Sequence, residues 1–284
     1  MHPVTRMVCV TISIAVVLAS TGTASAAVYA GATRQAAPIA ITVAKGGQVK
    51  TIAIEWRAKC GQGSYPFGAV LTAAAKRPSF IPQGTNPLLG SVKRGRLNAT
   101  SLGAESLGSI GSAAISQKIT AKFKPKSASG TWSAHVDILD PEGNKLDTCD
   151  TGTFRWVALH GPNAYGGSTT QGEPVVVLTD KDRSKVIYFG IGWHASCTPD
   201  DYVQFAEDFG NFPLTGSGVF GETWTMDYPF DDRSGKSSFT YTVSGSLKKG
   251  AGSGTFSAKT VQTDTAGATT ETCDTNVVRW SVSG

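Results

Sequence analysis

The chain contains no C-x-x-C pair, no G-x-S-x-G elbow and, beyond its N-terminus, no apolar run long enough to cross a bilayer. Each absence removes a class of explanation. Without thiols at ligand spacing, zinc and dithiol-redox chemistry lose their usual support. Without the elbow there is no serine nucleophile of the hydrolase type, and Thr215-Gly216-Ser217-Gly218 reads as a turn. Histidine is scarce as well, with four in 284 residues. Of these, His135, His160 and His194 lie outside the N-terminal leader, none beside a recognisable nucleophile.

Strong charge is also missing. Lys and Arg number 26 against 21 Asp and Glu, for a formal charge of +5. A nucleic-acid groove needs a denser basic footprint interleaved with aromatics. Lys122, Lys124 and Lys126 in KFKPK, with Lys248-Lys249 at the equivalent place in a second copy, therefore read as solvated strand charges that block edge pairing. The acidic turns at Asp180-Lys181-Asp182 and Asp231-Asp232 lack the ligand spacing of a calcium loop and read as polar turns. No metal and no cofactor is expected.

What is present begins with a leader. Arg6 precedes an apolar run from Met7 to Ala19, and Ala24-Ser25-Ala26 follows as a small-residue cleavage signal. Residues 1–26 read as a signal peptide, which would carry Cys9 away. The run is too short to span a hydrocarbon core of about 30 Å, so the mature chain is expected to be secreted, with no membrane span.

The body of the chain is written twice. Gly130 to Trp156 and Gly254 to Trp280 align without a gap and share twelve of twenty-seven residues, among them Cys149/Cys273, Arg155/Arg279 and Trp156/Trp280. Upstream, PIAITVAKGGQVKTIAIEWRAKC aligns with VVVLTDKDRSKVIYFGIGWHASC at a constant offset of 137. The expected division is 28–160 for the first repeat, 161–171 for a Gly/Ser/Thr-rich flexible linker and 172–284 for the second repeat. Four cysteines in an exported chain argue for disulfides and allow three connectivities. Because each repeat owns two, the economical pairing is Cys60 with Cys149 and Cys197 with Cys273.

Apolar residues alternate at period two through Ile115, Ile119 and Phe123 and again through Trp132, Val136 and Ile138, as half-buried strands do. About seven short strands per repeat predict an all-β fold of two tandem, disulfide-tied, immunoglobulin-like β-sandwiches. One short helix is expected in CTPDDYVQFAEDFGNF, capped by Thr198 and ended by Gly210, with a looser counterpart in FGAVLTAAAKR. Gly152 and Asn276 share a tolerance for positive φ that suits a hairpin loop. A three-residue loop would set Asp147 opposite Arg155 and Glu271 opposite Arg279, but would turn Cys149 away from the Trp156 face. A four-residue loop would pair Cys149 with Phe154 and lose the ion pair.

A strand ending in Trp-x-x-x-Cys, a later Ser-Gly-Thr followed by Trp132 or Phe256, and a closing T-C-D-x-[GN]-x-x-R-W resemble exported bacterial β-sandwich repeats of unknown function. The resemblance implies a scaffold and brings no catalytic residue. His135, matched by Lys259, and His194, matched by Arg57, read as exposed strand positions; a ligand role for His194 beside Asp200 and Asp201 is the lesser reading. Glu207 or Glu222 with Asp227 could form a carboxylate pair for glycoside hydrolysis, though spacing alone does not support it. The segment least like its partner copy gathers Phe212, Trp224, Asp227, Tyr228 and Phe230, a combination suited to sugar faces or protein partners, or to filling the core. The expectation is a secreted, non-enzymatic extracellular binding or surface-associated structural protein. Its expected partner is a cell-wall or other extracellular glycan, or a protein, and not nucleic acid. Carbohydrate binding is the first alternative and a hydrolase with an unrecognised carboxylate site is the second.

Overall fold

The computed structural model describes residues 26–61, 63–72, 92–106, 111–198, 201–230 and 235–284. The expected leader up to residue 25, Asp200 and the expected turn at Asp231-Asp232 lie outside them. Among the described residues every regular element is a β-strand, and no helix is long and apolar enough to cross a membrane. The first repeat comprises β1 (Ala27–Thr33), β2 (Pro38–Val43), β3 (Val49–Cys60), β4 (Gly63–Thr72), β5 (Arg96–Ser106), β6 (Ser112–Lys124), β7 (Ser127–Leu139), β8 (Lys145–Asp150) and β9 (Phe154–Leu159). The second comprises β10 (Ala164–Thr169), β11 (Pro174–Thr179), β12 (Lys185–Thr198), β13 (Asp201–Phe209), β14 (Phe212–Pro213), β15 (Val219–Pro229), β16 (Gly235–Lys248), β17 (Ala251–Asp264), β18 (Thr269–Asp274) and β19 (Val278–Ser283).

In each repeat these strands form one antiparallel sheet, where the sequence had suggested a sandwich of two. The sheet bends until it closes. In the first repeat hydrogen bonds run β3–β2–β1–β9–β7–β8 and back to β3, with β4 added outside β3 and the β5–β6 pair outside β7. In the second they run β12–β11–β10–β19–β17–β18 and back to β12. The short strands β8 and β18 are the seams. Each seam carries a disulfide, Cys60–Cys149 and Cys197–Cys273, the pairing that the repeat arithmetic favoured. The seams differ in strength: only Lys59 pairs with Asp150 across the first, whereas Ser196, Cys197 and Thr198 all pair across the second.

Neither loop length expected after Cys149 occurs, because β8 and β9 do not pair with each other. Both lie along β7, end to end. Val136 pairs with Cys149 and Trp132 with Phe154, and between the pairs His135–Asp150 and Trp132–Phe154 three residues, 151–153, face two, 133 and 134. That extra residue is a bulge, and it shifts the side-chain alternation by one. Cys149, Phe154, Trp156 and Ala158 therefore all point inward and are buried. Gly152 (φ 59°) and Asn276 (φ 55°) take up the positive φ of the sidestep. Asp147 accepts the Gly61 N–H instead of meeting Arg155, and Arg155 stands opposite Thr131.

The core follows from period two. In β6 and β9 every second residue is buried, and in the first repeat Trp56 lies 5.3 Å from Trp132. In the second, Trp280 lies 5.5 Å from Phe189, and its Nε1–H donates to the Thr255 carbonyl. The Ser-Gly-Thr glycine shared by the repeats has a steric cause: a Cβ on Gly254 would sit 1.9 Å from the Ser244 oxygen and 2.5 Å from the Trp280 ring.

Six strands break the alternation, β3 and β12 through their middles and four others almost throughout. β1, β2, β10 and β11 are buried on both faces over most of their length, because the repeats pack against each other through them. Ala30, Ala40 and Ala53 of the first repeat meet Ala164 and Val176 of the second in a cluster of small side chains. The contacts are reciprocal: β1 on β10, β2 on β11 and β4 on β13, with β1 on β11 matched by β2 on β10. The expected linker 161–171 is therefore corrected, since Ala164–Thr169 is β10, hydrogen-bonded to β11 and β19. Its glycines serve close approach: a Cβ on Gly166 would lie 2.6 Å from the Ala40 Cβ, and one on Gly167 would lie 2.0 Å from the Ser281 oxygen. The alignment shifts too. Pro38 corresponds to Pro174, and the offset of 137 holds only from Val49 and Val186 onward, because the intervening turn is longer in the second copy.

The expected helix is also corrected. Residues 201–209 are β13, laddered along β12 from Cys197 back to Phe189, and FGAVLT of the first repeat lies in β4. Val203, Phe205 and Phe209 face the core, with Phe205 5.0 Å from Trp193. Gln204 is buried against the first repeat, where a Cβ on Gly68 would lie 2.9 Å from its Nε2, and it donates to Glu173 of its own repeat.

Candidate functional site

The aromatic candidates are divided by the alternation of β15. Phe212 is 2% exposed and belongs to the core, 6.4 Å from Phe189. Trp224 is half-buried against Phe209 (4.7 Å) and Tyr241 (5.6 Å), so much of its ring area is already used. Tyr228, two pleats along the same face, is 48% exposed and stacks edge-on with Phe239 at 5.5 Å. Phe230 is half-buried where the hairpin turns, its N–H donating to the Gly235 carbonyl. Asp227 has the opposite parity in the strand and points away, held by Lys236 Nζ at 2.6 Å, whose hydrogen bond keeps its carboxyl below the usual range. The five residues do not form one site.

The same parity separates the carboxylates. Glu222 shares the Trp224 face and Asp227 does not. Glu207 sits on the core-facing side of β13, where burial pushes its carboxyl above the usual range and the Tyr241 hydroxyl donates to it at 3.4 Å. A raised folded-state pKa means that the unfolded chain ionises first as pH rises. The native state therefore loses stability from the ordinary carboxylate range upward, until Glu207 itself ionises. Glu207→Gln should flatten that loss: urea unfolding at pH 3 should give equal stabilities for variant and parent, and at pH 7 the variant should be the more stable.

The histidines are structural in different ways. His135 is exposed, as expected, with Nδ1 3.0 Å from Asp150 and Nε2 3.4 Å from Asp137. His160 Nδ1 lies 2.7 Å from the Val28 carbonyl and ties the end of β9 to β1. His194 is a correction. It is half-buried, its Nδ1 3.7 Å from the buried Glu173, rather than exposed on a free strand. Gln171 brackets its backbone, just as Gln35 brackets the backbone of Arg57. Glu55 lies fully buried nearby, opposite Gly192, whose missing side chain leaves it room. Asp147 and Glu271 approach the cysteine pairs, but the sulfurs there are bonded to each other and offer no thiolate to a metal. Asp180 accepts hydrogen bonds from the N–H and hydroxyl of Ser184, which hold its carboxyl low, and so it serves its own turn.

One surface escaped the reading of the sequence. Lys93 and Arg96 form a two-residue turn over Arg94-Gly95, both central residues at positive φ. Arg96 is then delivered directly opposite Lys122. Lys118 and Lys124 share the outward face of β6, and Arg155 lies two strands away, opposite Thr131. Among the described residues, none of the ion pairs recruits any of these cations. A trough of about 710 Å³ runs there, lined by Lys93, Arg96, Asn98, Thr120, Lys122 and Ser129. Its advance signals were the alternating Lys122 and Lys124, read from the sequence as solvated strand charges, and KRGR at 93–96, which joins them once β5 pairs with β6. At the places of Arg96, Lys118 and Lys122 the second repeat carries Val219, Thr242 and Ser246, with hydroxyl pairs such as Thr223 with Thr242 at 3.0 Å, while Lys248 and Arg279 keep the charges of Lys124 and Arg155. Comparison with protein-family models, with curated proteins and with solved structures finds no significant match.

Proposed function

We propose that this chain is an exported, non-enzymatic tandem-repeat protein that acts outside the cell as a binding or surface-associated structural module. The observation that carries the reading is the joining of two ring-closed repeats through a buried face, while their outer sheet faces differ in charge. A scaffold duplicated and fixed in this way holds two unlike surfaces at a constant angle, and binding residues tend to lie where such copies diverge. The sugar-platform alternative rests on Tyr228, whose exposed ring lies beside Met226 and Phe239; Trp224 adds little to it, being packed against Phe209.

The purified mature chain, incubated with cell-wall fractions and a glycan array, should be retained on at least one of them without releasing product. Release of soluble fragments from the retained material would overturn the non-enzymatic reading. Absence of retention on every fraction would overturn binding.

A further inference from the structure

We infer that the outward face of β5, β6, β7 and β9 in the first repeat is a binding face for a linear glycan carrying sulfate or phosphate groups. The inference rests on the binding reading above and names its ligand class.

Four observations converge on it. First, Arg96 and Lys122 are directly opposed across the β5–β6 ladder, with Cβ atoms about 5 Å apart; like charges in that position cost stability, and a bound anion removes the cost. Second, Lys124 follows Lys122 at about 7 Å along the same face and Lys118 precedes it at about twice that distance, so the cations form a row matched to an extended chain rather than to one small anion. Third, Arg94 adopts φ 49°, a conformation in which Asn or Gly is the usual choice, so the turn carries a cation where local preference does not favour one. Fourth, the floor between the cations is hydroxyl-rich: Thr120 and Thr131 lie 2.7 Å apart, with Ser129 and Asn98 beside them.

The lining selects among polyanions. Single-stranded nucleic acid is held by aromatic rings on which bases stack, and among the described residues none lines this trough. An anionic membrane asks for a group of apolar side chains that enter the interface together, whereas the large apolar residues exposed here among the described ones, Leu102 on β5 and Val157 and Leu159 on β9, stand at separate margins of the face. Hydroxyls and amides between guanidinium and ammonium groups suit the ring hydroxyls and tetrahedral oxyanions of a charged glycan.

The test transplants the second repeat's residues into the first: Arg96→Val, Lys118→Thr and Lys122→Ser. Each replacement already occupies the same place in the sister scaffold, and removal of the Arg96/Lys122 opposition should leave the melting temperature equal or higher. Binding of the full mature chain would be measured against heparin, poly(glycerol phosphate), a carboxylate-only polyuronate and single-stranded DNA across a salt series. The parent should bind heparin or the phosphate polymer more tightly than the polyuronate or the DNA, and which of the two it prefers identifies sulfate or phosphate as the natural group. The triple variant should lose about tenfold or more in affinity, with a salt slope shallower by about 2 to 3. Equal binding by parent and variant would overturn this face as the site while leaving the protein a binder. DNA bound as tightly as heparin or the phosphate polymer would overturn the ligand class. Failure of the parent to bind any of the polymers or any wall fraction would remove the broader reading as well.

Discussion

Replacing Cys60 and Cys149 together by serine should destabilise the first repeat by about 4 to 5 kcal/mol, and calorimetry should record a melting temperature lower by about 10 to 15 °C. The sequence separation of 89 sets the chain-entropy part of that loss. The Cys197–Cys273 bond, with a separation of 76, has nearly the same entropy. The two removals should nevertheless differ in place. In the first repeat a single bridged pair joins β3 to β8, so without the disulfide the seam opens. In the second, three bridged pairs remain to hold β18 on β12. Hydrogen exchange should show amides 145–150 losing protection in the first double variant, and amides 269–274 keeping most of theirs in the second. Equal deprotection of both seams would contradict the closed-ring description.

Gly166→Leu should separate the repeats without unfolding either. The Cβ alone would stand 2.6 Å from Ala40 and 3.2 Å from Val28, both backed by rigid strands, so the face cannot yield locally. Overpacking of this kind costs about 1 to 3 kcal/mol when the surroundings can shift, and here the simplest relief is to part the two sheets. A single calorimetric transition should become two, and small-angle scattering should report a larger radius of gyration. Gly216→Leu is the control, because a Cβ there meets nothing within 4 Å. One unchanged transition for the Gly166 variant would show that the small-residue cluster does not couple the repeats.

How far the fold could be read in advance depended on whether one strand face or two were buried. β6 and β9 alternate cleanly and were legible as strands. The disulfides followed from duplication. The misread helix is instructive: Phe205 and Phe209 are four apart, a spacing shared by a helix face and a strand face, and Asp, Thr and Pro before them resemble a cap. Tyr202 fits the helical face only, and the ladder to β12 decides against it. The glycines of 161–171 suggested slackness, whereas Gly166 and Gly167 are small because neighbouring strands press on them. PIAITV and PVVVLT held a signal that was overlooked, since an unbroken apolar run in a strand marks burial on both faces. The cationic face was hidden for another reason. Its halves, 93–96 and 118–124, are joined only by pairing of β5 with β6.

The opposition of Glu55 and Gly192 has a consequence for how such a molecule can arise. The two residues occupy the same position in their repeats, and they meet across the reciprocal contact. Two identical chains related by a twofold axis would have to place the same residue on both sides of that meeting point. Two glutamates would repel each other in a buried space, and two glycines would leave a void. Tandem fusion lifts the constraint, because one chain can keep the acid and discard its mate. The two halves are thus unlike where they meet at this point, and neither could make the same contact with a second copy of itself.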